Sequence, residues 1–259
     1  MSARPRSRWP SRLLLIRHGE SAGNVARDAA HAAGHSRIDI ADRDADVPLS
    51  ERGVQQSIAV GKWISSSPLA ERPEILLCSP FVRARQTAQL ICEAGALVPG
   101  APAIVVDERL RERELGVLDR LTRAGIVEFF PEQAELRSRL GKFYHRPPGG
   151  ENWCDVILRL RSVLDTMSLH YAGRNVLIVG HEVVVLCLRY LLENLDEDRI
   201  LAINKQGDMA NCGLTEYVYR EGDDAREGSL VLVRYNETAP LQEHGAPVTT
   251  APDAKVAPR

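Results

Sequence analysis

No apolar run in this 259-residue chain approaches the roughly 18 residues that a membrane-spanning helix needs. The basic N-terminus (Arg4, Arg6, Arg8, Arg12) leads into an apolar stretch too short for a signal peptide. Five cysteines, an odd number without regular spacing, argue against a disulfide framework. Cys78, Cys92, Cys187 and Cys212 lie in or beside apolar runs and read as reduced, buried thiols. That suits a reducing compartment, and the expected location is cytoplasmic. Net charge is only −2, so no global field points to nucleic acid or to a membrane surface. There is no internal repeat. His31 and His35 have no carboxylate at metal-ligand spacing and read as solvated histidines.

What remains is an ordinary globular composition, 44% hydrophobic and 26% charged, at a length that suits one large domain or two small ones. Residues 1–11 are expected to form a flexible basic arm. Residues 237–259, rich in Ala, Pro and Thr without periodicity, are expected to be a disordered tail. The body between them, 12–236, alternates strand and helix signals. That alternation predicts a three-layer α/β/α sandwich with a largely parallel central sheet.

The central stretch is Leu13-Leu14-Leu15-Ile16, a short buried strand that stops at Arg17-His18-Gly19-Glu20-Ser21. In open α/β sheets, ligands bind beyond the carboxyl ends of strands. Arg17 and His18 therefore stand where a site is expected, although an Arg-His pair alone is more often surface decoration. The following stretch, to about Ala33, reads as a helix with Asn24 near its start. The aspartate-rich loop 34–48 reads as solvated, with a lid over the site as the alternative.

Ser50 is the expected cap of a helix from Glu51 to about Ser66. A second strand, Glu74–Cys78, ends at Ser79-Pro80. This pair reads as a helix entry, with the serine as cap and the proline at the first helical position. Arg83 then falls in the first turn, where its charge opposes the helix dipole unless an anion binds there. Arg85 points elsewhere. A third strand, Ala103–Val106, feeds a mixed charge run in which Glu108, Glu112 or Glu114 can turn inward. Residues 122–142 read as helix, interrupted near Pro131. Asn152 to about Tyr171 is an amphipathic helix whose stripe of Trp153, Val156, Leu160 and Met167 is core. A fourth strand, 175–179, ends at Gly180-His181 and leads into a helix over 182–193. Late strands fall near Val218-Tyr219 and over Leu230–Tyr235.

Two histidines, two arginines and a carboxylate at one sheet edge suit a phosphoryl dianion. The arginines would neutralise equatorial oxygens, a histidine would attack phosphorus and a carboxylic acid would protonate the leaving oxygen. In this order the motifs resemble the histidine phosphatase superfamily, also called phosphoglycerate mutase-like. The resemblance rests on Arg17-His18-Gly19-Glu20-Ser21 with Asn24, Pro48 to Gln56, Ser79 to Ala88, Leu110-x-Glu112 with Gly116, Pro148-Gly149-Gly150-Glu151, and Val179-Gly180-His181.

The resemblance implies that His18 becomes a phosphohistidine. Arg17, Arg83 and His181, assisted by Asn24, would bind phosphoryl oxygens, and Glu112 would be the proton donor. It implies no metal and no organic cofactor. The expected partner is a small phosphorylated metabolite, neither nucleic acid nor membrane, with the oligomeric state open. Glu182 departs from the family, which commonly has a small residue there, and so does Val117-Leu118-Asp119. The short segment 117–150 resembles the cap of phosphatase relatives more than the longer insert of glycolytic mutases. Phosphomonoester hydrolysis is thus the favoured activity, with a cofactor-primed phosphoglycerate mutase as alternative and a non-catalytic phosphate-binding module as the second. Arg113, Lys142, His145 and Arg146 are candidates for holding a second anionic group, against a reading as solvated charges.

Overall fold

The computed structural model describes residues 8–101, 103–222 and 228–250. Strand β1 (Arg12–Arg17) is followed by helices α1 (Ala22–Ala32) and α2 (Glu51–Ser66), then β2 (Ile75–Cys78), α3 (Val82–Glu93) and β3 (Val105–Val106). Helices α4 (Arg123–Phe129), α5 (Pro131–Tyr144) and α6 (Trp153–His170) follow. The chain then returns through β4 (Asn175–Gly180), α7 (Glu182–Leu192), α8 (Glu197–Gln206), β5 (Leu214–Arg220), β6 (Ser229–Glu237) and α9 (Ala239–Glu243).

The six strands lie in the order β3-β2-β4-β1-β5-β6. β3, β2, β4 and β1 are parallel, as expected. β5 joins antiparallel to β1, and β6 pairs antiparallel with β5 and so runs in the direction of the parallel set; the sheet is mixed. Both faces of its centre are covered, which is why β1 is continuously apolar. Leu13 and Leu15 point to one face and pack with Val156, Leu160 and Met167 of α6 and Val184 and Leu188 of α7. Leu14 and Ile16 point to the other and pack with Val60 and Ile64 of α2 and Ala88 and Ile91 of α3. Each such buried leucine or isoleucine is worth about 1.5–3 kcal/mol of apolar transfer. The α6 stripe is core, as its spacing predicts.

Three expectations need correction. Residues 9–11 of the expected arm are fastened to the body: the Gly173 amide donates to the Trp9 carbonyl, and the Ser11 amide to the Arg174 carbonyl. Residues 1–7 lie outside the described residues. The stretch 237–250 is not a disordered tail. It forms α9, buries Leu241 in the second core cluster and delivers the Pro247 carbonyl and the Thr249 hydroxyl to Gln56 Nε2 at 2.9 and 2.8 Å. Residues 251–259 lie outside the described residues. Finally, Ser79 does not cap α3. That helix starts at Val82 with Phe81 in the cap position, and the serine hydroxyl is used elsewhere.

The cap segment folds as α4 and α5, broken by Phe130 where Pro131 starts the second helix. Loop 34–48 leans against it. The Ile38 amide donates to the Arg120 carbonyl, and the Thr122 amide and hydroxyl donate to the Ser36 and His35 carbonyls. Gly125 permits the approach, since a Cβ there would meet the Ser36 carbonyl at 1.9 Å. No helix among the described residues is long and apolar enough to cross a membrane.

Candidate active site

β1 and β4 are neighbours in register, with Arg17 opposite Gly180. The residues that follow them, His18 and His181, are therefore brought side by side. Their ring centroids are 5.2 Å apart and the rings are tilted by 64°. The bend after His18 is held from behind. Gly19 and Gly53 meet back to back, because a Cβ on Gly19 would lie 2.5 Å from the Gly53 carbonyl. Ser50 donates to Glu20 Oε1 at 2.7 Å and receives the Gly53 amide at 3.1 Å, capping α2 as expected. Gln56 Oε1 accepts the Glu20 amide. The segment from Pro48 to Gln56 thus supports the site without entering it.

The hydrogen bonds fix the tautomer of His18. Its Nδ1 faces the Gly19 carbonyl at 2.7 Å, and a carbonyl can only accept, so Nδ1 carries the proton. Its Nε2 accepts from Arg83 Nε at 3.2 Å. Burial, then the guanidiniums of Arg83 and Arg17, hold the His18 pKa well below its ordinary range. The ring is neutral, with an exposable lone pair on Nε2.

His181 is fully buried and is also held neutral, first by burial and then by Arg83 and His18. Its Nε2 lies 2.8 Å from the Ser79 hydroxyl, which itself accepts the Phe81 amide. This network assigns the ring proton to Nδ1. That Nδ1 has no hydrogen-bond partner among the described residues; Glu112 Oε2 is 3.6 Å away, beyond hydrogen-bond reach. A buried donor left in this way is costly unless a ligand completes it.

The two arginines differ in how they are held. Arg17 Nη1 donates to the Met209 carbonyl and lies 3.1 Å from Glu182 Oε2. Arg83, on the first turn of α3, pairs with Asp44 at 3.0 Å. Asn24 sits at the third position of α1, in a reciprocal cap with Ser21. Its Oδ1 accepts from the Ser21 amide and from Asn211 Nδ2, so its Nδ2 is the group it can offer to a ligand. Arg17, His18, Asn24, Arg83 and Glu112 all line one pocket; His181 is not among its lining residues but lies directly against two of them, with its ring 5.2 Å from that of His18 and its Nδ1 3.6 Å from Glu112 Oε2.

Glu112 is carried by a loop that two motifs build together. Gly116 has φ of +55°, and a Cβ there would meet the Pro148 carbonyl at 2.1 Å. Glu151 accepts the Glu114 amide and pairs with Arg111 at 2.6 Å and with Arg159 at 3.0 Å. Arg159 in turn donates to the Arg109 and Glu112 carbonyls. The Pro148 to Glu151 motif therefore fixes the backbone that points Glu112 at His181.

The structure separates the candidates for a second anion. Arg113 lines the pocket. Lys142 instead donates to Asn204, His145 is buried beside Gln133, and Arg146 pairs with Asp155. The pocket wall takes Arg27, Arg120 and Arg123 in their place. Loop 34–48 supplies another wall through Ile38, Ile40, Asp42, Asp44 and Val47, so it borders the site rather than standing clear of it. His31, read as solvated, also reaches this pocket.

Several site residues escape sequence reasoning. Ser79 is legible as a helix cap, not as a partner of His181. Asn211 is fully buried and ties the His18 carbonyl to Asn24 from a loop with no motif of its own. Glu182 is legible as a departure from the family pattern directly after His181, but its contact with Arg17 is not.

Comparison with known proteins identifies the family. The family model for the histidine phosphatase superfamily (branch 1) matches residues 13–236. A Yersinia enterocolitica protein named "Probable phosphoglycerate mutase GpmB" is 28% identical over 221 residues, covering 85% of this chain and 90% of its own. A 2,3-bisphosphoglycerate-dependent phosphoglycerate mutase of Gloeobacter violaceus is 30% identical over 190 residues, covering 73% of this chain and 78% of its own. Among solved structures, a mycobacterial glucosyl-3-phosphoglycerate phosphatase in complex with inorganic phosphate superposes with a TM-score of 0.66 at 26% identity. The match covers 89% of this chain and 99% of that one.

Proposed function

The chain belongs to branch 1 of the histidine phosphatase superfamily, and we propose that within it the chain hydrolyses a small phosphorylated metabolite through a phosphohistidine on His18. The observation that carries this reading is the tautomer of His18: the proton sits on Nδ1 and Nε2 is an acceptor beside two arginines.

In the proposed first step, His18 Nε2 attacks phosphorus and the ester oxygen leaves on the opposite side. Arg17, Arg83, the Nδ1–H of His181 and the Asn24 amide hold the equatorial oxygens, where charge accumulates in the transition state. Glu112 gives its proton to the leaving oxygen, so an alcohol departs. In the second step a water attacks the phosphohistidine, Glu112 takes its proton, and orthophosphate is released with His18 restored. The free thiols among the described residues, with Cys78 and Cys212 pushed up to about 12 by burial, are in keeping with work in the reducing cytoplasm.

Hydrolysis is preferred to mutase activity because the cap segment 117–150 is short, with room for helices of only 7 and 14 residues, and because a solved phosphatase structure superposes on this chain. The mutase reading has support of its own in the two curated relatives named as phosphoglycerate mutases. One assay separates them. The protein in EDTA is given an aryl phosphate, or 3-phosphoglycerate with and without 2,3-bisphosphoglycerate, and both phosphate release and 2-phosphoglycerate are followed. Phosphate release that is lost in His18→Ala supports the hydrolase. Primed 2-phosphoglycerate with little phosphate release makes the chain a mutase. Normal phosphoester binding by His18→Ala, with no turnover by the unaltered protein, leaves a binding module.

A further inference from the structure

Glu182 is a carboxylate placed inside an anion site. It is the first residue of α7, directly after His181, and its side chain is only 4% exposed. Its Oε2 lies 3.1 Å from Arg17 Nη1. Its Oε1 accepts from Asn204 Nδ2 at 3.3 Å, and Asn204 Oδ1 accepts from Lys142 Nζ at 2.5 Å. Lys142 follows Gly141, where α5 breaks with a φ of 77°. A polar chain therefore runs from the cap, through α8, to the guanidinium of Arg17.

The two arginines of the cradle each face a carboxylate, but the two contacts are not equivalent. Asp44 lies on a loop with its side chain 46% exposed, and an incoming anion can take its place on Arg83. Glu182 is buried, anchored by Asn204 and aligned with the helix N-terminus, so it stays when the anion binds. It is not needed to orient Arg17, because the Met209 carbonyl holds the same Nη1 and β1 holds the backbone. Its remaining effect is on charge. A phosphoryl dianion entering the cradle meets one arginine already neutralised in part, at a place where burial leaves charges poorly screened.

We propose that Glu182 is a positioning residue that acts through Arg17 to weaken the hold on orthophosphate, so that product leaves and turnover continues. This rests on the phosphatase reading of the site. Removing the charge while keeping the shape should tighten phosphate binding. A residue with only a structural role would not do so; its loss would weaken binding or leave it alone.

The test is orthophosphate binding by calorimetry, with product inhibition measured beside it, on the full chain and on Glu182→Gln and Glu182→Asp. For Glu182→Gln the expected Kd and Ki for orthophosphate fall by roughly tenfold, the scale of one poorly screened charge contact. KM should fall with them and kcat should not rise. Glu182→Asp, with its charge drawn back by one methylene, should lie between the two, and it carries the test if the Gln variant does not fold. Unchanged or weaker orthophosphate binding in both variants overturns the inference while leaving the phosphatase reading standing. Absence of orthophosphate binding and of turnover in the unaltered protein overturns both.

Discussion

Arg83 Nε donates to His18 Nε2 across 3.2 Å. The bond links a fixed cation to the atom proposed as nucleophile and helps to keep the ring unprotonated. With its pKa in the folded protein held below the ordinary 6.5, His18 gains a proton only well below that pH. The acid limb of kcat/KM should therefore not follow an imidazole near 6.5. In Arg83→Gln one lowering influence is lost, and the limb should move to higher pH along with a fall in rate. The pH dependence of kcat/KM for both proteins checks this. The same sign governs folding. His18 and His181 are neutral when buried, so their unfolded forms bind more protons and stability declines as pH falls below 6.5.

Asp44 occupies Arg83 much as a phosphoryl oxygen would, through its carboxylate at 3.0 Å and its carbonyl at 2.5 Å. In the proposed reaction, substrate displaces the carboxylate. Asp44→Asn should lower KM by roughly two- to fivefold, the worth of a partly exposed ion pair. Steady-state kinetics at low ionic strength show the effect best, and added salt should shrink it.

Ser79 sets the proton of His181 on Nδ1 through a 2.8 Å contact to Nε2. Ser79→Ala frees the ring to take the other tautomer and removes the donor proposed to hold a phosphoryl oxygen. The expected loss in kcat/KM is about 10–100-fold, the scale found when the partner that orients a metal-ligating histidine is removed. The melting temperature of the variant, measured beside its kinetics, distinguishes this from general damage.

Gly53 lets the first turn of α2 touch the backbone of Glu20, and an added Cβ would meet the Glu20 carbonyl at 2.0 Å. Gly53→Ala should destabilise the fold by about 1–3 kcal/mol, the range of an overpacked core site. Because the same contact supports the bend after His18, activity should fall more than the folded fraction does. Chemical denaturation and specific activity measured together test this.

The parts of the site that could be read from the sequence were those on strand ends. β1 and β4 announce themselves as apolar runs that stop at a histidine, and the rule for open α/β sheets puts both at one edge. Arg83 was legible because a cation at a helix start needs an anion to explain it. The sequence puts Ser79 in the right turn but hides its partner, since local hydrogen bonding cannot reveal a histidine more than a hundred residues away. Asn211 could not be found, because only the tertiary fold brings its loop behind His18. The C-terminal stretch misled for a similar reason. A five-residue helix is too short to show a period, and its one buried leucine gains its place from α2 and the sheet, not from its neighbours in sequence. The antiparallel β5 and β6 were seen as strands, but their direction depends on a pairing that the pattern does not encode.

The central claim is a covalent phosphoryl group on His18. The direct measurement is rapid quenching of the protein with a substrate labelled in its phosphoryl group, followed by mapping of the labelled residue. Label on the His18 peptide, stable to base and lost in acid, is expected from the unaltered protein. His18→Ala should take up none and should lose activity by about a thousandfold or more. Turnover of the unaltered protein without any label at position 18, or activity retained in His18→Ala, would contradict the account.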